Sequence, residues 1–182
     1  MLCTLAASDL AALRDVFYSA FSSDEAPSTL GVIEQIIRHP SQPESIVLGY
    51  RQGEALVGAV AVSPIFIQGE TDLAAYILAP LAVHAKHQKQ GVARQLIQAC
   101  RQALTTQSVD VLLVYGDPNF YGRFGFAAET AQSFVPPYPL EFEFGWQALW
   151  LSDRALRPAN QKPGQQTYPF SCVDALSDPS LL

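Results

Sequence analysis

The stretch Ala79 to Leu104, APLAVHAKHQKQGVARQLIQACRQAL, reads as the end of a strand, a short polar turn and an amphipathic helix in direct succession. The apolar run Tyr76 to Val83 supplies the strand, and Val92, Leu96, Ala99, Cys100, Ala103 and Leu104 recur at the spacing of one helical face. The strand is expected to be buried with the helix packed beside it. Between them, Gln88, Lys89, Gln90, Gly91, Val92 and Ala93 present backbone N–H groups at a helix N-terminus, where the first four have no intrahelical partner. Such a terminus attracts anions, phosphates above all. Gly91 and Ala93 are small enough to let a pyrophosphate approach the backbone, and Lys89 adds charge at the turn. A diphosphate-bearing cofactor is the expected guest.

Gln88-x-x-Gly91-x-Ala93 resembles the Q/R-x-x-G-x-G/A signature of the GNAT superfamily of N-acetyltransferases, which bind acetyl-CoA there. A second motif follows in the order that family uses: Phe120-Tyr121-Gly122-Arg123-Phe124-Gly125-Phe126 is similar to its F-Y-x-x-x-G-F segment. With Gly116-Asp117-Pro118-Asn119 in front, the wording resembles most the YhbS-like branch. The resemblance covers about residues 1 to 130. It implies an α/β (α+β) fold, with a mixed, mostly antiparallel central sheet of six to seven strands flanked by about four helices. It also implies a β-bulge in the strand before the signature.

Composition narrows the class. A chain of 182 residues is expected to form one domain with a full-sized core. Apolar content of 49% with 15% charged residues is that of a globular enzyme rather than a disordered chain. A net charge of -6 argues against a general nucleic-acid binder. Within this acidic chain, Lys86, Lys89, Arg94, His84 and His87 form a local basic patch on the anion-binding turn. Cys3, Cys100 and Cys172 lack metal-ligand spacing and are read as reduced thiols of a cytoplasmic protein that needs no metal. The longest apolar run, Leu56 to Ile67, is interrupted by Gly58, Ser63 and Pro64, so a soluble protein with no membrane span is expected.

Along the chain, Leu2 to Ala6 is a candidate strand, and Ser8 a candidate N-cap for a helix with Leu10, Leu13, Val16, Phe17, Ala20 and Phe21 inward. A second helix is expected from about Thr29 to Arg38. Ile46 to Arg51, Leu56 to Ile67 and Tyr76 to Val83 form an antiparallel meander, turning at Gln52-Gly53-Glu54 and Gln68-Gly69-Glu70. The helix then crosses over to Val111–Tyr115, placed parallel to the strand before it. Asp117 caps a short helix that starts at Pro118 and stops at Gly125. Ser133 to Phe144 and Gln147 to Ser152 read as terminal strands. Residues 1–155 are assigned to the acetyltransferase-like domain. Residues 156–182 are read as a loosely attached, Pro- and Gln-rich extension with one strand near Tyr168 to Cys172.

The resemblance assigns roles residue by residue. Tyr121 matches the tyrosine that commonly acts as general acid toward the departing CoA sulfur. The backbone around Leu81, Ala82 and Val83 would pair with the pantetheine arm and polarise the acetyl carbonyl. Gln88, Lys89, Gln90, Gly91, Val92, Ala93 and Arg94 would hold the pyrophosphate, with Asn119 as a further cofactor contact. An alkylammonium has a pKa near ~10.4, so a base or a water relay must free the amine. Glu25, Glu70 and His84 are candidates for that base. Arg123 is read as a solvated helix residue, with pairing to a carboxylate or a cofactor phosphate as the alternative, and Phe124 and Phe126 as core.

The implied reaction is acetyl transfer from acetyl-CoA to a primary amine by direct attack in a ternary complex. The acceptor stays open among polyamines, amino acids, antibiotic amines and protein N-termini. A homodimer fits the resemblance, in which dimers are common. Two non-catalytic readings compete: an acyl-CoA-binding module on the same fold, and an interaction domain docking through Trp146, Trp150 and Tyr168. A P-loop and a Rossmann site are excluded, because neither G-x-x-x-x-G-K-S/T nor G-x-G-x-x-G occurs.

Overall fold

The computed structural model describes residues 1–69, 72–153 and 167–177. Strand β1 (Leu2–Thr4) leads through a 3-10 turn at Ala7–Asp9 into α1 (Leu10–Ala20), followed by α2 (Ala26–Arg38). Asp9, rather than Ser8, organises the entry to α1. Its carboxylate accepts from the Ala6 N–H at 2.9 Å and pairs with Arg51. Helix α2 starts before Thr29 because Glu25 and Ser22 close on each other. The Ser22 hydroxyl donates to the Glu25 carboxylate at 2.7 Å, and the Glu25 N–H donates to the Ser22 hydroxyl at 3.3 Å. Pro27 fits the first turn of α2, where no N–H is required.

The expected meander is β2 (Ile46–Gln52), β3 (Ala55–Ile67) and β4 (Ala75–Val83), and Gly53 turns the first hairpin with φ of 59°. Helix α3 (Val92–Thr106) crosses over to β5 (Val111–Tyr115), which lies parallel to β4. Then come α4 (Pro118–Tyr121), α5 (Ala128–Ala131), β6 (Phe134–Val135), β7 (Trp146–Trp150) and β8 (Tyr168–Cys172). The sheet runs β1-β2-β3-β4-β5-β7, and β4–β5 is the parallel pair along that path. This is the mixed, mostly antiparallel sheet anticipated from the residues.

Each face of the sheet carries its own core. On one side Leu13, Val16 and Phe17 of α1 pack with Val32, Ile33 and Ile36 of α2. On the other, Val92, Leu96, Ile97, Cys100 and Leu104 of α3 cover the sheet. No helix among the described residues is long and apolar enough to cross a membrane.

The C-terminal part departs from expectation. Ser133 to Phe144 is not a strand, since β6 stops after Val135, where Pro136 and Pro137 cannot donate to a ladder. The segment 167–177 is not loosely attached. β8 pairs with Ile65–Ile67 of β3, continuing the sheet beyond the end of β2, and Phe170 and Leu176 are buried. Trp146 is core as well: it stacks on Phe170 at 5.9 Å and donates from Nε1 to the Phe134 carbonyl at 2.9 Å. Trp150 and Tyr168 are half-buried against Phe134. The aromatics offered for partner docking are therefore packing groups. Phe124, expected in the core, is half-buried at a cleft, whereas Phe126 is buried.

Asp110 fastens the strands at the same end of the sheet as β8. Its carboxylate accepts from the Ala74 N–H at 3.1 Å and the Ser152 hydroxyl at 2.7 Å. Removing a buried charged acceptor strands its donors. Asp110→Ala is expected to lower unfolding free energy by about 2–3 kcal/mol, read as a shifted urea midpoint at unchanged slope.

Candidate active site

Strand β4 changes phase halfway along. Val62 pairs with Leu78 and Val60 with Leu81, so two residues of β3 span three of β4, and Ala79–Pro80 form a β-bulge. Before the bulge, Ala75 and Ile77 face the α1/α2 core; after it Ala82 does, and Leu81 and Val83 turn toward α3. The parallel ladder to β5 ends at Leu78 and Val114. Beyond that point β4 and β5 diverge into a wedge. The His84 N–H donates to the Val57 carbonyl at 2.9 Å. Alternation along an antiparallel ladder then turns the Ala82 N–H toward β3, and those of Leu81 and Val83 toward the wedge.

The turn closes one end of the wedge. The Gln88 carboxamide donates to the Val83 carbonyl at 3.1 Å, tying the turn back to the strand. Lys89 (φ 59°) and Gly91 (φ 83°) adopt left-handed conformations, the alternation that gathers backbone N–H groups into an anion cradle. The first hydrogen bond of α3 runs from the Gln95 N–H to the Gly91 carbonyl at 3.1 Å. The N–H groups of Val92, Ala93 and Arg94 are left without intrahelical partners. A Cβ built on Gly91 would meet nothing within 4 Å, so the space over the cradle is open.

These elements enclose a cleft of about 700 Å³. Of the residues singled out in the sequence, Leu81, Val83, Gln88, Lys89, Gly91, Val92, Ala93, Arg94 and Tyr121 line it. Ala82, Gln90 and Asn119 do not. The phase change turns Ala82 into the opposite core, where it is 2% exposed. The exposed Gln90 side chain donates to the Lys86 carbonyl at 3.0 Å, and Asn119 is exposed on α4. Arg123 does line the cleft, as do His87, Phe120 and Phe124, which were not assigned to the site. His87 Nδ1 is buried with no hydrogen-bond partner among the described residues. That orphaned group, the free helix N–H groups and the open space over Gly91 suit a polyanionic ligand. No cluster of three or more His, Cys, Asp and Glu side chains that could hold a metal ion occurs among the described residues.

Tyr121 stands on the far wall. Asp117 caps α4 by accepting from the Asn119 N–H at 2.9 Å, and Gly125 ends the following 3-10 turn with φ of 90°. Arg101 of α3 donates to the Phe124 carbonyl at 3.1 Å, anchoring the loop. The ring of Tyr121 meets Phe120 edge-on at 4.9 Å and Phe126 at 5.8 Å. Burial among these side chains pushes its phenol pKa up to about 12. The ring also lies against Gly116, where a Cβ would come within 2.5 Å of Tyr121 Cε2. Gly116 is itself held: its N–H donates to Gly145 at 3.0 Å, and the buried Gln147 side chain donates to its carbonyl at 3.1 Å. Gly116→Ala must displace the Tyr121 ring. It is expected to reduce turnover about 10- to 100-fold while leaving ligand affinity in the cleft within a few-fold, because an ångström of misplacement costs about that much. Steady-state kinetics beside a binding titration separates the two effects.

Leu81 and Tyr121 also line a second cavity, of about 390 Å³, between β4 and α2. Glu25 borders it. His84 lines neither cavity, and its Nδ1 accepts from the Lys86 N–H at 3.2 Å. Glu70, the third candidate base, lies outside the described residues. Cys100 is buried under α3, where desolvation raises its thiol pKa to about 12, and it reaches neither cavity.

Residues 43–128 match the family described as Acetyltransferase (GNAT) domain. The chain is 44% identical over 101 residues to a protein of Escherichia coli K12 named Uncharacterized N-acetyltransferase YhbS, covering 56% of this chain and 59% of that protein. The aligned stretch thus spans under two thirds of that relative. It is 29% identical over 170 residues to Uncharacterized N-acetyltransferase YjhQ of the same strain, covering 92% and 88% of the two chains. Among solved structures, Escherichia coli YhbS in complex with CoA superposes with a TM-score of 0.73 at 26% identity, over 94% of this chain and 89% of that one. A GNAT family acetyltransferase from Brucella melitensis in complex with acetyl-CoA gives 0.66 at 19% identity, over 96% of each, a likeness of fold.

Proposed function

Residues 43–128 match the GNAT acetyltransferase domain family, and on that premise we propose that the chain transfers an acetyl group from acetyl-CoA to a primary amine by direct attack. One observation carries the reading: Leu81 and Tyr121 line both the 700 Å³ cleft and the 390 Å³ cavity, so the cofactor and the acceptor would meet between them.

The cleft's residues fit the cofactor. The N–H groups of Val92, Ala93 and Arg94, with Lys89 and His87 beside them, would hold its pyrophosphate. The wedge-facing N–H groups of Leu81 and Val83 would pair with the pantetheine arm and polarise the thioester carbonyl, on the order of 3 kcal/mol per well-placed donor. When bound, acetyl-CoA supplies a thioester carbon that a neutral amine attacks, the new C–N bond replacing C–S and the electron pair leaving on sulfur. Tyr121 holds a proton at its hydroxyl through the neutral range, gives it to that sulfur, and recovers one from the nitrogen as it becomes an amide. The amine arrives as the free base after losing one proton to water or to Glu25. Close placement of the two reactants supplies much of the remaining rate.

The proposed setting is the cytoplasm, with Cys3, Cys100 and Cys172 as free thiols. Residues 1–155 would make up the catalytic unit and 156–182 an extension that adds β8. The test is amine-dependent release of CoA thiol from acetyl-CoA, matched mole for mole by N-acetylated amine in the mass spectrum. An acetyl group trapped on a cysteine would contradict direct attack, and CoA release indifferent to every amine would contradict N-acetyl transfer.

A further inference from the structure

The geometry points to an acceptor with one positive charge on an apolar body, an arylalkylamine or branched alkylamine, whose ammonium is received by Glu25; this rests on the acetyl-transfer reading above. The second cavity has a volume of about 390 Å³, at the small end for ligand sites. Its wall is more apolar than polar, with Phe21, Val32, Leu78, Pro80, Leu81 and Leu176 prominent. Glu25 is the charged residue on that wall among the described residues.

Of the polar groups that remain, the Tyr115 hydroxyl accepts from the Phe142 N–H at 2.9 Å, and the Tyr121 hydroxyl is assigned above to the leaving sulfur. The hydroxyls of Ser28 and Thr29 donate to the Glu25 carbonyl at 2.9 and 2.8 Å, so toward the cavity they offer lone pairs alone. The Gly116 carbonyl is engaged by Gln147. The Glu25 carboxylate accepts from the Ser22 hydroxyl and N–H at 2.7 and 3.3 Å, which leaves acceptor sites for an ammonium.

This inventory sorts the acceptors. A free amino acid brings a carboxylate, and the described wall holds no cation to receive it. A polyamine brings further charges that would lie desolvated against Phe21, Val32 and Leu176. One charge on an apolar body leaves nothing unmatched. Phe21, Glu25 and Leu176 lie outside residues 43–128, so this selectivity belongs to parts of the chain beyond the matched family stretch.

The test titrates the protein–CoA complex with phenethylamine, spermidine and leucine by calorimetry, and repeats the series on Glu25→Gln. The carboxamide oxygen of that variant can still accept from Ser22, so its helix start and melting temperature should be unchanged. Phenethylamine is expected to bind at least about tenfold more tightly than the other two. Glu25→Gln is expected to weaken it about tenfold, the scale of one charge-assisted hydrogen bond, with acetyl-CoA affinity unmoved. Equal or tighter binding of spermidine or leucine, or a folded Glu25→Gln protein that binds phenethylamine normally, would overturn the inference. Turnover measured beside these titrations separates the two readings. Acetylation of spermidine or leucine in preference to phenethylamine sinks the acceptor assignment alone, whereas failure to bind acetyl-CoA sinks the transferase reading. In that case the free protein's amine preference still decides the cavity.

Discussion

Tyr121→Phe is expected to lower turnover by about a hundred- to ten-thousandfold while acetyl-CoA affinity changes by no more than a few-fold. The change removes one oxygen from a ring that stays packed against Phe120, Phe126 and Gly116, so the cleft keeps its shape. What is lost is the proton delivered to the leaving sulfur. Because burial raises the phenol pKa to about 12, the wild-type group stays protonated below pH ~10, and no alkaline fall in turnover should be traceable to it there. The acid limb should instead follow deprotonation of the amine, so turnover rises with pH across the neutral range. The raised pKa also has a stability consequence of fixed sign. A tyrosine that holds its proton more tightly folded than unfolded stabilises the fold below pH ~10, and that contribution is lost as pH climbs from about 10 toward 12. A kcat for Tyr121→Phe equal to wild type would remove the residue from the mechanism.

Gly91→Glu is expected to weaken acetyl-CoA by a hundredfold or more. Gly91 has φ of 83°, and the space over it is open, so a glutamate would extend a carboxylate to where the diphosphate belongs. Two like charges about 4 Å apart repel by roughly 1 kcal/mol in water and about 4 kcal/mol near a protein surface. Strain is a separate and smaller effect. A side chain in the left-handed region costs about 1–2 kcal/mol, a drop in melting temperature of about 2–8 °C for a chain of this size. The discriminating control is Gly91→Ala, which carries the strain without the charge and should retain most of the affinity. Calorimetric titration beside a melting curve tells the two apart, and unchanged acetyl-CoA affinity in a folded Gly91→Glu protein would show that the phosphates bind elsewhere.

How far the residues alone reach is clearest along β4. The turn and the helix after it were legible because glycine, basic residues and a 3.6-residue apolar period each leave a local mark, and Val92, Leu96, Cys100 and Leu104 are indeed buried. The short helix at Pro118 was legible for the same reason, through its Asp-Pro start and glycine stop. The phase change at Ala79–Pro80 left no such mark, because in YILAPLAV both faces are apolar and alternation carries no signal; the bulge in this strand was implied by the family resemblance alone. Ala82, assigned to the cleft through that resemblance, sits in the opposite core. β8 was placed correctly, but its Pro- and Gln-rich surroundings gave no hint that Phe170 would stack on Trp146. Gln147, which holds Gly116 against Tyr121, belongs to no motif, and the Gly116-Asp117-Pro118-Asn119 wording did not reveal that Gly116 packs on the Tyr121 ring. Their roles depend on β7 lying against β5, a pairing between distant parts of the chain.

The most direct test is thermal unfolding of the purified protein with acetyl-CoA and, in parallel, with dephospho-CoA. Ligand at ~100 times its dissociation constant adds about 2.7 kcal/mol, or about 5–11 °C for a chain of this length. A shift of that size is expected with acetyl-CoA in the wild-type protein, and its loss in Gly91→Glu. No shift at saturating acetyl-CoA would contradict the cofactor reading, leaving the junction of β4 and α3 a feature of the fold without a cofactor.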